Sequence, residues 1–155
     1  MQYAIWTLAS TFSTQSEYLR SRLRAAAVRI LDDLESRDVD PCLIEIEHAQ
    51  ARVILLIHDL LKSSFDLGWR GAATCFRLLQ YMRLYDIDSP QQIARRTNEA
   101  HGEDKTYTEE LRRAFWVAYS IDCFINLRSG RPLTFQETVV SLLHYTVAIS
   151  TTNSH

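Results

Sequence analysis

Glycine and proline are scarce in this chain, at four and three residues in 155. So few breakers argue against a collagenous or loop-dominated chain and suit long, uninterrupted helices. Cysteine is scarce too: Cys42, Cys75 and Cys123 lie far apart and form neither a C-x-x-C pair nor a zinc-ligand spacing. That excludes a sequence-evident disulfide framework or metal site. Three isolated thiols suit a reducing compartment, with buried structural cysteine as the reading taken over a reactive one. No large excess of either charge is present. The net charge of −2 gives no global attraction to nucleic acid or to a membrane surface. No apolar run approaches the ~20 residues of a membrane span. The first dozen residues, MQYAIWTLASTF, lack the positive start and small-residue cleavage site of a secretory signal, so the chain is not expected to be secreted. G-x-S-x-G, H-E-x-x-H and a phosphate-cradling glycine loop are all missing, so no catalytic motif, cofactor or metal site is assigned.

What is there is helical periodicity. The stretch from Thr106 to Thr134, TYTEELRRAFWVAYSIDCFINLRSGRPLT, carries start and stop signals. Thr106 and Glu109 have capping-box spacing, with Thr108 as a second N-cap candidate. Gly130 supplies a left-handed turn and Pro132 prevents the helix resuming. At 100° per residue, Leu111, Phe115, Ala118 and Ile125 share one face, and Val117, Ile121 and Phe124 a neighbouring one. A helix apolar on most of its circumference reads as central and buried. Asp122 falls among the first set, where a carboxylate needs a partner. Arg131 is the partner expected, with the backbone at Ser129 and Gly130 as its competitor.

This stretch resembles the fungal-specific transcription factor domain, the middle homology region of fungal zinc-cluster regulators. Arg112, Arg113, Phe115, Trp116, Tyr119, Asp122, Ser129, Gly130, Arg131, Pro132 and Leu133 match its ordered pattern. Cys123 departs where the family has Arg, and Val117 where a second Trp is frequent. A weaker likeness extends over residues 3–88. Asp122, Ser129, Gly130, Arg131 and Pro132 form the structural motif of this resemblance. The zinc-cluster segment and the family's further C-terminal helices are not in the sequence, so the likeness covers part of the usual regulator, and the chain is expected to act as a fragment, a paralogue or a partner of a full-length one.

The rest of the chain reads as follows. A first helix has Tyr3, Trp6 and Phe12 as core anchors. A second begins near Thr14, with Thr14 and Glu17 as a capping box and Leu19, Leu23, Ala26, Ala27, Ile30 and Leu34 inward. Arg20, Arg22, Arg24 and Arg29 occupy its other face, read as solvated and offset by Glu17, Asp32, Asp33 and Glu35 rather than as a nucleic-acid surface. Asp40-Pro41 reads as the start of a third helix, buried along Arg52–Ile57. His58 and Asp59 point about 100° apart and are not expected to form a dyad; His58 reads as a core histidine rather than a general base. Phe65–Gly68 breaks the pattern before a fourth helix whose core side is Trp69, Ala72, Ala73, Phe76, Leu79 and Met82. Residues 89–105, with His101 and Asp104, read as a polar linker in which Ile93–Arg96 makes one turn. A sixth helix is expected over Gln136–Ile149.

The expected fold is therefore all α: five to six helices around two buried ones, about 42–64 and 108–129, in one domain over 1–149 with a frayed tail, 150–155. The resemblance implies a regulatory, ligand-sensing module acting in transcription, in the nucleus or cytoplasm. It implies a protein partner or self-association, and no sequence-specific DNA contact by this chain. The alternative is a stand-alone binder of, or enzyme acting on, a hydrophobic secondary metabolite. For that reading Trp6, His58, Trp69, Trp116 and Tyr119 form the candidate pocket; catalysis is not supported by any motif.

Overall fold

The computed structural model describes residues 1–14, 17–36, 45–62, 65–97 and 105–135. Six α-helices are found there, and no strand among the described residues: α1 (Gln2–Thr11), α2 (Glu17–Glu35), α3 (Ile46–Lys62), α4 (Phe65–Tyr81), α5 (Pro90–Thr97) and α6 (Lys105–Ser129). A 3-10 turn, Leu84–Asp86, lies between α4 and α5. The expected all-α class holds. The Asp40-Pro41 cap, Cys42, His101, Asp104, the Gln136–Ile149 helix and the 150–155 tail lie outside the described residues. Two compact units divide the chain, Met1–Leu78 and Leu79–His155, with the division inside α4.

In the first unit, α1 packs on both α2 and α3. The core joins Ala4 of α1, Ala27 and Leu31 of α2, and Ala51 and Leu55 of α3, with Val28 and Ile54 against it. The residues that α1 buries are small: Ala4, Thr7 and Ser10. The hydroxyls of Thr7 and Ser10 donate to the carbonyls of Tyr3 and Thr7, so burial leaves them satisfied. Tyr3, Trp6 and Phe12 are 42%, 48% and 79% exposed, which corrects their reading as core anchors. Large rings would hold the helix away from its neighbours; the small stripe permits close approach and turns the rings outward.

Helix α2 is rotated from its expected setting in the same way. Leu19, Ile30 and Leu34 are about two-fifths exposed, while Ala27 and Leu31 are buried. Arg20 and Arg24 lie on the inner side of the helix, at four-residue spacing on the same face as Ala27 and Leu31. Helix α3 is buried through its middle, as expected, from Ala51 to Leu56 with Ile54 partly covered. Phe65–Gly68 is not a break but the first turn of α4. A β-carbon on Gly68 would sit 2.9 Å from Leu60 Cδ2 of α3, so a larger residue there would need the Leu60 side chain to shift. Ala73 is exposed, whereas Cys75 is fully buried.

Burial pushes the Cys75 thiol up to about 12. Between its unfolded value and about 12, the folded chain holds a proton that the unfolded chain has lost. Stability therefore falls as pH rises through that window, and is unaffected by this group at neutral pH. Urea unfolding of Cys75→Ala should show a shallower alkaline loss than the parent. Equal slopes would contradict the burial.

The second unit is built on α6. Leu111, Ala114, Phe115, Ala118, Asp122, Ile125 and Asn126 form its buried side. Val117 and Phe124 are 43% and 62% exposed, so α6 has one buried face rather than burial all round. The helix begins at Lys105, so Thr106 lies inside it and is not the N-cap. Glu109 instead receives hydrogen bonds from Arg113 and Arg112, which hold its carboxyl below the usual range. The 3-10 turn packs on α6, with Leu84 and Ile87 buried. Pro90 opens α5 rather than punctuating a linker. The Ser89 hydroxyl accepts from the Gln92 N–H and the Ser89 carbonyl from that of Ile93, an ordinary N-cap with proline at the first helical position.

Helix α6 ends as the sequence requires. Gly130 has φ +64°, and the Arg131 N–H reaches back to the Asn126 carbonyl at 3.3 Å. That six-to-one bond across a left-handed glycine is a Schellman termination. A β-carbon at Gly130 would meet nothing within 4 Å. Gly130→Ala should therefore cost about 1–2 kcal/mol through backbone conformation alone, read as a shift in urea midpoint. A neutral result would mean the turn relaxes freely.

Candidate functional site

The centre of the matched motif is Asp122. It lies four positions from Ala118 and from Asn126 on one helix face, and it is fully buried. Its Oδ1 accepts from the Asn126 side-chain amide at 2.6 Å. Its Oδ2 accepts from the backbone N–H groups of Thr134 and Phe135 at 2.8 and 3.0 Å. The expected partner, Arg131, is exposed, and three amide donors take its place. The physical reason is the termination at Gly130: the reversed chain runs back along the helix end and presents its own N–H groups. Neutral N–H donors satisfy a buried carboxylate without a second desolvated charge. Asn126 also donates to the Asp122 carbonyl at 2.9 Å, which fixes its amide. Asp122 therefore staples the segment after Gly130 onto α6.

Phe135, carried by that segment, is buried. Its ring meets Phe115 edge-on at 5.3 Å. Phe115 in turn meets Trp116 at 5.8 Å and lies nearly parallel to Tyr119 at 6.4 Å; Trp116 and Tyr119 are perpendicular at 5.7 Å. The aromatic residues of the motif thus form one cluster beside the staple. Of the remaining motif residues, the Ser129 hydroxyl donates to the Asn126 carbonyl at 3.4 Å, and Pro132 is exposed. Arg112 makes a two-pronged contact with Asp88 at 2.5 and 3.2 Å and also reaches Glu109. These hydrogen bonds push the Arg112 guanidinium above its ordinary value despite burial.

The first unit holds two further charge locks. Arg24 grips Asp59 through both carboxylate oxygens at 2.6 Å, and His58 Nδ1 lies 3.0 Å from Asp59 Oδ1. The His58–Asp59 contact corrects the expectation that these adjacent helical residues form no dyad: the imidazole reaches the same carboxylate that Arg24 grips. Arg52 contacts Asp32 and Glu35 at 2.6 Å, and His48 reaches Glu35 at 3.0 Å. Burial alone would raise Glu35; hydrogen bonds from His48 and Arg52 more than offset it and hold the carboxyl below its usual value. Positions rise along α2, from Arg24 to Asp32 and Glu35, while partners fall along α3, from Asp59 to Arg52 and His48. The two helices are therefore antiparallel.

Of the candidate pocket residues, Trp116 and Tyr119 meet in the second unit's aromatic cluster. Trp6 stands half-exposed on α1, edge-on to Tyr3 at 5.6 Å. His58 is buried beside Asp59, and Trp69 is half-buried on α4. Among the described residues, no cluster of metal-ligating side chains occurs and no helix is long and apolar enough to cross a membrane.

The profile of the fungal specific transcription factor domain matches residues 1–145. The pigment biosynthesis transcriptional activator pigB of Monascus ruber is 40% identical over 141 residues, 91% of this chain and 26% of that protein. The tropolone cluster transcription factor tropK of Talaromyces stipitatus is 40% identical over 138 residues, 89% of this chain and 24% of that protein. The citrinin biosynthesis transcriptional activator ctnR of Monascus purpureus is 34% identical over 140 residues, 90% of this chain and 23% of that protein. The chain spans about a quarter of the length of these relatives. No solved structure gives a significant match. With its staple, the Arg112–Asp88 contact and its aromatic cluster on the motif positions, and the domain profile covering all but its last ten residues, the chain belongs to the fungal-specific transcription factor domain family.

Proposed function

We propose that this chain is a regulatory helical module of a transcription regulator that controls a fungal secondary-metabolite gene cluster, acting in the nucleus. The observation that carries this reading is the family match over residues 1–145, together with relatives that are named as regulators of pigment, tropolone and citrinin clusters. In this reading the helices restrain or transmit activity and leave DNA recognition to another segment. Support comes from how the arginines are spent: Arg24 on Asp59, Arg52 on Asp32 and Glu35, Arg112 on Asp88, and Arg20 on Glu17. Cations committed to carboxylates do not neutralise phosphates. The exposed faces of α1 (Tyr3, Ile5, Trp6) and α6 (Val117, Phe124, Leu127) are the surfaces offered to a protein partner.

The test is a fusion of the chain to a heterologous DNA-binding module and activation segment on a reporter. A several-fold change in output relative to the fusion without the chain, altered again by Asp122→Ala, is expected. Output indifferent to the chain and to the substitution would refute a regulatory role. The isolated chain should bind duplex DNA only weakly, and without sequence preference, in a mobility-shift assay at physiological salt.

A further inference from the structure

The segment Arg131–Phe135 is held in an unusual way. Its first residue belongs to the helix termination, and Arg131, Pro132 and Thr134 are exposed. Beyond that turn, two N–H groups converge on a single carboxylate oxygen of Asp122. The Thr134 carbonyl accepts from Gln80 Nε2 at 3.4 Å, the long end of the hydrogen-bond range. Within this strap, Phe135 places its ring edge-on to Phe115, whose ring also meets those of Trp116 and Tyr119.

We propose that the strap is a releasable plug: Phe135 occupies an aromatic seat on Phe115 that accepts a planar aromatic small molecule when the Asp122 catch opens. The seated phenyl ring itself shows what chemistry the seat takes: a flat, apolar group presenting its edge to a ring face. The catch is polar and the plug apolar, so the two can be weakened independently. This inference deepens the regulatory reading by giving the module a ligand site, and it rests on that reading only for its biological meaning.

A ligand that binds only the open strap has its affinity reduced by the fraction of molecules that are open. Weakening the catch must then tighten binding, by as much as it shifts that fraction. Thr134→Pro removes one N–H from the catch at an exposed position; Asp122→Asn keeps the shape and weakens the acceptor. With 2-naphthol as the probe, titration calorimetry should give binding at least tenfold tighter in both variants than in the parent chain. Proton chemical-shift changes should centre on the Phe115, Trp116 and Tyr119 rings. Amide exchange at Phe135 should be faster than that of the α6 amides from Leu111 to Ile125, in the parent chain and in both variants.

Three results would overturn the proposal. One is equal 2-naphthol affinity in the parent and both variants. Another is a set of shifts remote from those rings. The third is a Phe135 amide as strongly protected as those of α6, which would make Asp122 an ordinary core residue. None of these readouts involves transcription, so a failure here is distinguishable from a failure of the reporter test.

Discussion

Replacing Asp122 with alanine is expected to cost about 3–5 kcal/mol, because it leaves two strap N–H groups and the Asn126 amide without their acceptor in a buried setting. Each of those donors now points at a fully buried carboxylate. Asp122→Asn should cost less, about 1–3 kcal/mol, since it keeps an oxygen for the strap but turns an amide N–H₂ toward that of Asn126. Arg131→Ala, at an exposed position, should stay within about 0.5 kcal/mol, and its effect should add to that of Asp122→Ala rather than couple with it. Urea unfolding of the three singles and the Asp122/Arg131 double gives all four values. Strong coupling between Asp122 and Arg131 would return the arginine to the role first expected of it.

Arg24→Ala should be comparably damaging, at about 3–5 kcal/mol, because it strands a buried carboxylate. The Asp59 side chain is 3% exposed, and beyond the guanidinium it has His58. Asp59 hydrogen bonds also raise the Arg24 guanidinium above its ordinary value, against the effect of burial. The apolar double replacement, Arg24→Met with Asp59→Leu, should recover most of the loss, because it removes both charges together. The loss should persist in high salt, since screening acts weakly on buried pairs. Matched urea titrations with and without added salt decide the matter. A loss that vanishes in salt would place the pair at the surface.

The sequence made some of this legible and concealed the rest, for physical reasons. Asp122 declared itself because helical spacing set a carboxylate among Leu111, Phe115, Ala118 and Ile125, all of which are buried. Its partners were hidden because backbone donors have no residue type; only the Gly130–Pro132 turn hinted that the chain doubles back. Asn126, at four-residue spacing from Asp122, was readable and overlooked. Hydrophobicity misled at α1, where packing chose Ala4, Thr7 and Ser10 over Tyr3 and Trp6. The arginines of α2 looked like a solvated face because an ion pair to Asp59, 35 positions along, leaves no local trace. Periodicity reports where apolar groups recur; it does not report which charge is drawn inward by a distant one.

The two locks between α2 and α3 have a consequence for how such modules diverge. Arg24–Asp59 and Arg52–Glu35 pin the antiparallel pair at points eleven residues apart on α2 and seven on α3. Each helix contributes an arginine to one lock and an acid to the other. A slide of one helical turn would break both at once and leave buried charges facing apolar neighbours. Alignment is thus encoded in four residues, and the apolar side chains between them are free to drift so long as their volume is kept. A chimera whose incoming α2 lacks an arginine at the Arg24 position or an acid at the Glu35 position should therefore lose stability unless α3 is exchanged with it.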